Sequence, residues 1–436
     1  MNKKVAIHTL GCKANQLESS IICQDFSNNS CQIVKFNEFS DIYIINSCTV
    51  TAKADNETRY LVRKARKANN EAIIIVTGCY AQISSEELEQ LESPDFIIGN
   101  KKKLSIFDIL AEYNFSKQNK TVIISSDIMN ENEFDYKTLN ESSKTRAHLK
   151  VQDGCDNRCS YCIIPFARGK SRSNSLTNIL DQVNNLVAYG FKEIIITGIH
   201  LGQWGLDFSP KQNFIEILKE LENIEGLERY RISSLNPLEF NDELINLIST
   251  STKFCRHLHI SMQNTDNDTL KLMNRHYTYE KMAELCEKLT SKMPDIAIGG
   301  DIIVGFPQET DERFENSYNN LNKLPISYLH VFPYSVRKGT VAESLDGHIN
   351  ETIKKQRAER LTNLANTKKT EFLEKFINSK IKVLVEKVRD KKSGKLKGLS
   401  SNYMEILFDG NDELKNTIQL LKIMKIENNV IFGKLI

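Results

Sequence analysis

The chain has 436 residues, 40% hydrophobic and 26% charged, with a formal net charge of +2. That length exceeds one small core and suits two or three domains, and the balance is that of an ordinary globular protein rather than a disordered or membrane-embedded one. The near-zero charge neither requires nor excludes nucleic acid, since a basic stripe can be offset by acidic surface elsewhere.

MNKKVAIHTLGCKANQ is interrupted by polar residues too early to read as a secretory leader, and apolar runs such as AIIIV are strand-sized, so the expected compartment is the cytosol, with no membrane partner. In a reducing compartment the ten cysteines are candidates for metal ligation or catalysis rather than disulfides.

The first segment alternates short β-branched runs with helical stretches. KVAIHTL, DIYIINS, AIIIVTG and DFIIGN read as strands, and residues 14–26, 55–69 and 84–92 as helices, the last with a Ser84/Glu87 capping box. The alternation predicts a parallel sheet covered by helices on both faces. TLGC, NSCT and TGCY put Cys12, Cys48 and Cys79 at the ends of three strands, and in a parallel sheet those ends share one edge where ligands bind. The competing reading is that cysteine is a common small buried residue, which suits Cys23, Cys31, Cys255 and Cys286.

Residues 114–145, rich in Asn, Ser, Glu and Lys, read as a linker whose run TVIISS supplies at most one edge strand. From Arg146 the alternation resumes: AHLKVQ, EIIITGI, RYRISSL, HLHISM, IAIGGDIIVGF and YLHVFPYS as strands, with helices near 175–189, 213–223, 241–250, 278–291 and 310–322 and a charged helix near 350–375. Six strand–helix units predict a barrel or partial barrel with its working residues at the C-terminal strand ends. KIKVLVEKV, NYMEILFDG, IQLLKIMKI and NNVIFGKLI, separated by turn signals, predict a small antiparallel barrel at the end of the chain.

After AHLKVQ comes the loop DGCDNRCSYC. Three thiolates, Cys155, Cys159 and Cys162, select iron–sulfur clusters, zinc or Cu(I) over hard cations. A structural zinc site would normally complete a fourth ligand, and the next cysteine, Cys255, belongs to another strand–helix unit; a zinc knuckle completed by a distant histidine is the rival reading.

The spacing C-x3-C-x-aromatic-C, with Tyr161 as the aromatic, resembles the signature of the radical S-adenosylmethionine superfamily, and the whole chain resembles the methylthiotransferases within it. That resemblance implies an N-terminal parallel α/β domain (1–113), a linker (114–145), a radical S-adenosylmethionine partial (βα)6 TIM-like barrel (146–375) and a C-terminal β-barrel of the RNA-binding TRAM type (376–436). It implies two [4Fe-4S] clusters, one on Cys12, Cys48 and Cys79 and one on Cys155, Cys159 and Cys162, with S-adenosylmethionine at the open iron of the second. KVQDGCDNRCSYCIIPFARGKSRS, TGIHLGQWG and RISSLNPLE resemble the threonylcarbamoyladenosine tRNA subgroup, the MtaB type. The implied activity is conversion of N6-threonylcarbamoyladenosine beside the anticodon to its 2-methylthio form, with tRNA and an electron-donor protein as partners and no DNA. The alternatives are isopentenyladenosine tRNA, a ribosomal-protein aspartate, or a non-catalytic iron–sulfur RNA-binding protein.

Further positions carry expectations. Gly299, Gly300 and Asp301 suit a strand running into a helix, where glycines admit a cofactor, or merely a tight turn. Gln263 ends a strand and either hydrogen-bonds the methionyl group or caps the next loop. The family usually continues Ser-Gly after this strand, whereas here Asn264, Thr265 and Asp266 follow. Arg168, Lys170 and Arg172 read as phosphate contacts or as a solvated loop, and so do Arg59, Arg63, Lys64, Arg66 and Lys67 on a helix. The terminal segment groups Lys380, Lys382, Lys387, Arg389, Lys391, Lys392, Lys395 and Lys397 with possible stacking rings Tyr403 and Phe408. His8 and His200 flank strand ends as pocket-lining candidates; no histidine pair has an HExxH-type spacing, so no zinc site is assigned.

Overall fold

The computed structural model describes residues 3–139 and 144–436. The chain first builds a six-stranded sheet from β1 (Lys4–Thr9), β2 (Gln32–Val34), β3 (Ile42–Ser47), β4 (Ile73–Gly78), β5 (Phe96–Ile98) and β6 (Val122–Ile124). Its order is β2-β1-β3-β4-β5-β6 and every pairing is parallel. The helices α1 (Lys13–Asn28), α2 (Ala52–Ala68), α3 (Cys79–Ile83), α4 (Ser85–Glu92) and α5 (Ile106–Glu112) cover it. Strands β3 and β4 are buried at every residue, so their sequences run apolar without alternation, as a sheet covered on both faces requires. The edge strand read in TVIISS is β6. Ser84 does precede α4, but its side chain makes no cap bond, because it also ends α3 and has left the extended conformation a cap needs; Glu87 pairs with Arg59 instead.

The second body holds β7 (Ala147–Lys150), β8 (Gln152–Asp153), α6 (Ile164–Arg168), β9 (Arg172–Ser173), α7 (Leu176–Ala188), β10 (Glu193–Thr197), α8 (Phe214–Asn223), β11 (Arg229–Ile232), α9 (Asp242–Thr250), β12 (His257–Gln263), α10 (Asn267–Leu272), α11 (Tyr279–Lys292), β13 (Ala297–Val304), α12 (Asp311–Lys323), β14 (Tyr328–Pro333) and α13 (Glu351–Glu374). Two parallel three-stranded sheets, β7-β10-β11 and β12-β13-β14, are joined by single parallel bridges at Tyr230–Phe254 and Leu235–Ile260. The result is a partial barrel of six parallel strands.

Its polarity is inverted relative to a filled barrel. Leu149, Ile194, Ile196, Tyr230, Ile232, Leu258, Ile260, Ile298 and Ile302 face the helices and form the core. The alternate positions turn His148, Arg231, His257, His259, Asp301 and His330 toward the lumen. A closed (β/α)8 barrel fills that space with branched aliphatic side chains; here it stays polar.

The last body is a closed five-stranded barrel, β15 (Lys380–Val385), β16 (Leu396–Ser400), β17 (Glu405–Phe408), β18 (Ile418–Glu427) and β19 (Val430–Leu435), in the order β15-β16-β17-β19-β18. One pairing, β17–β19, is parallel where the sequence predicted antiparallel strands throughout. A ring with an odd number of strands cannot alternate direction all the way round, so closure forces one such pair. This barrel docks under the N-terminal strand ends of the partial barrel. Arg229 donates to the Leu399 carbonyl at 2.8 Å, Arg231 to those of Ser401 and Ser400 at 2.9 and 3.2 Å, and Asn402 to that of Asp295 at 3.2 Å. The buried Glu193 takes both guanidinium groups, at 2.6 Å from Arg229 and 2.9 Å from Arg231. Burial works against its charge, but the arginines outweigh it and hold the Glu193 carboxyl down at about 2. No helix among the described residues is long and apolar enough to cross a membrane.

Candidate active site

Cys12, Cys48 and Cys79 follow β1, β3 and β4, three neighbours in the N-terminal sheet, so its parallel order gathers thiols far apart in sequence along one edge. The strand ends are packed closely: a Cβ on Gly11, whose φ is +86°, would lie 2.8 Å from both Cβ and Sγ of Cys48. Burial, reinforced by the neighbouring Cys79 and Cys12, pushes the Cys48 thiol up to about 12. A bare thiolate is therefore disfavoured there, and a bound metal cation would favour it.

The second triplet rises from the end of the first barrel strand. Gly154, at φ +78°, opens the loop where a Cβ would collide with the Lys170 carbonyl. Cys155 receives a contact from His200 Nδ1 at 3.4 Å, and Arg275 donates to Cys159 Sγ at 3.3 Å. Cys162 is pushed up to about 12 by burial and by the other two sulfurs. Tyr161 packs edge-on against Phe306, holding the loop onto the barrel rim. A cleft of about 170 Å³ outside the loop is lined by Arg158, His200, Asn236, Glu239, Arg275 and Tyr277. His200 also bonds Glu239 and Asn236; burial opposes its charge, but the bonds to Cys155 and Glu239 raise the imidazole to about 10. His8 packs edge-on against Phe36 instead.

The donor sets fit clusters better than single ions. A tetrahedral zinc holds thiolates at 2.3 Å, which puts sulfurs ~3.8 Å apart. Among the described residues only His259, Asp301 and His330 bring three ligand atoms within 4.8 Å of one another, so both cysteine triplets are more open than one ion needs. Soft sulfur donors with this wider spread suit an iron–sulfur core.

One interface joins the N-terminal sheet edge to α6, the helix that follows the second triplet. Asn100 Nδ2 lies 3.8 Å from Cys79 Sγ and 2.7 Å from the Ala167 carbonyl, just beyond the second triplet in α6. Behind them Glu18 of α1 accepts from Lys103 at 2.7 Å, Lys150 at 3.0 Å and both Arg168 nitrogens at 3.1 and 3.2 Å. Arg168 also reaches Asp153 at 2.9 Å and Asn15 at 2.7 Å. The N-terminal helix is thus ion-paired to the strand and the short helix that flank the cysteine loop.

Several expectations are corrected. Arg168 is 1% exposed inside this network and is not free for a phosphate. Arg172 is also buried, with its guanidinium on the Lys170 carbonyl. On α2, Arg59, Arg63 and Arg66 are paired with Glu87, Glu92 and Asp95, so the basic run is largely spent on neighbouring acids. Phe408 is core, at 1% exposure, whereas Tyr403 is 42% exposed, with one face stacked on His257 at 4.3 Å and Arg231 over its ring at 5.0 Å. Gly299 and Gly300 lie in the body of β13, not at its turn into a helix. A Cβ on Gly299 would enter the Tyr328 ring at 2.0 Å, and one on Gly300, which faces the helices, would meet Met262 Sδ at 2.7 Å; both are small for packing. Gln263 sits at the end of β12 with φ +62°, and the following cap belongs to Asp266, which accepts from Thr269 N at 2.8 Å. Asn264 closes a local turn by accepting from the nitrogens of Thr265 and Asp266, which gives the unusual Asn-Thr-Asp its structural role. Asp301 faces the lumen 3.3 Å from both His259 and His330; burial opposes its charge, but the two imidazoles hold it well below the usual carboxylate range.

Residues 4–99 match a family described as the uncharacterized protein family UPF0004, and residues 149–321 match the radical SAM superfamily. The threonylcarbamoyladenosine tRNA methylthiotransferase MtaB of Aquifex aeolicus (strain VF5) is 38% identical over 419 residues, covering 96% of this chain and 100% of that protein. The MtaB of Bacillus subtilis (strain 168) is 36% identical, covering 97% of this chain and 94% of its own. The chain belongs to the radical SAM methylthiotransferase family. Within that family, a tRNA-2-methylthio-N(6)-dimethylallyladenosine synthase of Protochlamydia amoebophila (strain UWE25) is 32% identical, with 99% and 96% covered. Among solved structures, the radical S-adenosylmethionine methyltransferase TsrM of Kitasatospora setae superposes with a TM-score of 0.56 at 13% identity, covering 75% of this chain and 72% of that one, a likeness of fold.

The sequence reading missed the residues that hold the site in place. Arg275 lies in a loop with no motif of its own, and Asn236, although inside RISSLNPLE, carried no role there; together they frame the cysteine loop.

Proposed function

We propose that this protein is a tRNA methylthiotransferase that converts N6-threonylcarbamoyladenosine beside the anticodon to 2-methylthio-N6-threonylcarbamoyladenosine. Cys12, Cys48 and Cys79 hold one [4Fe-4S] cluster, and Cys155, Cys159 and Cys162 hold the second, to which S-adenosylmethionine binds. Bound together, these groups supply sulfur and the radical chemistry that an aromatic carbon–hydrogen bond, lacking a leaving group, demands.

The protein's own contribution is positioning. The observation that supports the reading is the interface at which Asn100 spans from Cys79 to α6, the short helix that follows the second cysteine triplet. Arg275 holds positive charge against Cys159, and His200 engages Cys155 while Glu239 and Asn236 orient its ring. Gln263 and Asp301 are the lumen-side candidates for contact with S-adenosylmethionine. The glycines are assigned to packing. The exposed lysines of the terminal barrel support a tRNA-binding role; a separate electron donor and a cytosolic location complete the reading. Nucleoside analysis of tRNA from cells deleted for this gene tests it: loss of the 2-methylthio form with accumulation of threonylcarbamoyladenosine is expected, and an unchanged profile rejects the substrate.

A further inference from the structure

Three neighbouring strands of the partial barrel each turn one metal-competent side chain into the lumen. His259 of β12, Asp301 of β13 and His330 of β14 lie three or four residues below the strand ends Gln263, Val304 and Pro333. Parallel register places Asp301 opposite His330, and His259 opposite Gly299, two positions before Asp301 on the same face. No spacing in the sequence shows this set, because each member comes from a different strand.

His259 Nε2 and His330 Nδ1 each lie 3.3 Å from the same oxygen, Asp301 Oδ1, and one ligand atom of each residue falls within 4.8 Å of the others. Nitrogen and oxygen donors at about 2.1 Å from a tetrahedral metal ion stand about 3.4 Å apart, so the spacing fits an ion between them. It is longer than an ordinary N–H···O bond of about 2.9–3.0 Å, and the buried His259 Nε2 has no hydrogen-bond partner. On the other side of that ring, Nδ1 meets Ser234 Oγ at 3.3 Å, and Ser234 Oγ meets Ser261 Oγ at 2.9 Å. With the Nδ1 proton turned to Ser234, Nε2 presents its lone pair to the lumen, the orientation that ligating histidines adopt. The His259 and Asp301 side chains are 12% and 28% exposed and that of His330 is 55% exposed, so an ion can enter from one side.

We propose that His259, Asp301 and His330 form a binding site for one divalent transition-metal ion of the zinc or iron(II) class, separate from both cysteine triplets. Two imidazoles and a carboxylate suit such ions, whereas Mg²⁺ and Ca²⁺ take all-oxygen shells. Three protein ligands leave at least one coordination position on the lumen side for an oxygen or nitrogen donor. Only Oδ1 of Asp301 is committed, so its second oxygen stays available for the S-adenosylmethionine contact considered above. The site does not depend on the choice of RNA substrate.

The test adds Zn²⁺ alone to the full chain carrying its full complement of cluster iron, without S-adenosylmethionine or RNA. Zinc is the probe because its X-ray absorption edge is separate from that of the cluster iron. The wild type should hold one zinc per chain, with nitrogen and oxygen neighbours at about 2.0–2.1 Å and no sulfur at about 2.3 Å. Asp301→Asn, which keeps the shape and removes the charge, should weaken zinc binding by about 100-fold or more, and Ser234→Ala, which removes only the orienting hydroxyl, by about 10-fold. His348→Gln, at an exposed position in the loop before α13, should bind as wild type does. Iron content and circular dichroism of each variant are checked against wild type. No zinc retained by the wild type, or sulfur in its shell, overturns the proposal without any variant. So does an Asp301→Asn protein that binds zinc as tightly as wild type.

Discussion

Replacing Glu18 by glutamine removes one negative charge from a site where three cations converge. Glu18, Lys103, Lys150 and Arg168 are each no more than 9% exposed in their side chains, so solvent cannot screen the change. In the native state Glu18 and Asp153 face Lys103, Lys150 and Arg168, a local balance of two against three. Glutamine leaves Asp153 alone against the same three. It also turns an amide donor toward donors, forfeiting at least two of the four bonds at 2.7–3.2 Å. Charge-assisted bonds are worth about 1.5–3 kcal/mol each, and breaking one side of a buried pair costs about 3–5 kcal/mol; the two routes agree on a loss of about 3–5 kcal/mol. Because the network joins α1 to β7 and α6, urea unfolding should show the N-terminal body separating early, as a second transition rather than a uniform shift. The pH dependence has a definite sign. Burial pushes Glu18 up, but Arg168, Lys103 and Lys150 outweigh it and hold it well below its ordinary 4.5. Its stabilisation is therefore complete above pH 4.5 and lost as pH falls below that toward the folded value. The wild type should lose its advantage over Glu18→Gln on acidification below 4.5. An E18Q protein within about 0.5 kcal/mol of wild type at pH 7 would refute the network's role.

Cys48→Ala should cut reconstituted iron from about eight to about four atoms per chain, with the loop cluster intact; unchanged iron would detach Cys48 from any metal. Tyr403→Ala should loosen the terminal barrel, costing roughly 1–2 kcal/mol from lost stacking and cation–π contact and speeding proteolysis near α13, whereas Tyr403→Phe should not. Were Tyr403 instead a base-stacking ring, the alanine variant would keep its protease resistance and lose RNA affinity. Lys380, Lys382, Lys391 and Lys392 are exposed and carry no ion pair among the described residues, unlike Lys395, Lys397 and Arg389. Neutralising all four should flatten the salt dependence of tRNA binding by about 3 in the log–log slope; an unchanged slope would move the RNA surface elsewhere.

The sheets were legible because their information is local. Runs of β-branched residues ending in TLGC, NSCT and TGCY announced both the strands and the edge on which the cysteines meet, and six such runs from AHLKVQ onward announced the partial barrel. What stayed hidden depends on tertiary partners. Arg168 reads the same whether it meets a phosphate or Glu18, and only the fold brings Glu18 to it from 150 residues away. Tyr403 and Phe408 looked alike as rings between lysines, but one is half-exposed and stacks on His257 where the two barrels meet, and the other fills the smaller barrel. The pair Gly299-Gly300 suggested room for a cofactor, while the space belongs to Tyr328 and Met262 on adjacent strands.

Sulfur insertion on a threonylcarbamoyl nucleoside by a chain carrying two clusters can be observed directly. The most direct measurement incubates the anaerobically reconstituted protein with S-adenosylmethionine, a reductant and an equal mixture of threonylcarbamoyladenosine and dimethylallyladenosine tRNAs, followed by mass analysis of the released nucleosides. The methylthio mark is expected on the threonylcarbamoyl nucleoside with little on the other, together with deoxyadenosine. Methylthiolation confined to the dimethylallyl nucleoside, or deoxyadenosine without any methylthio product, would contradict it.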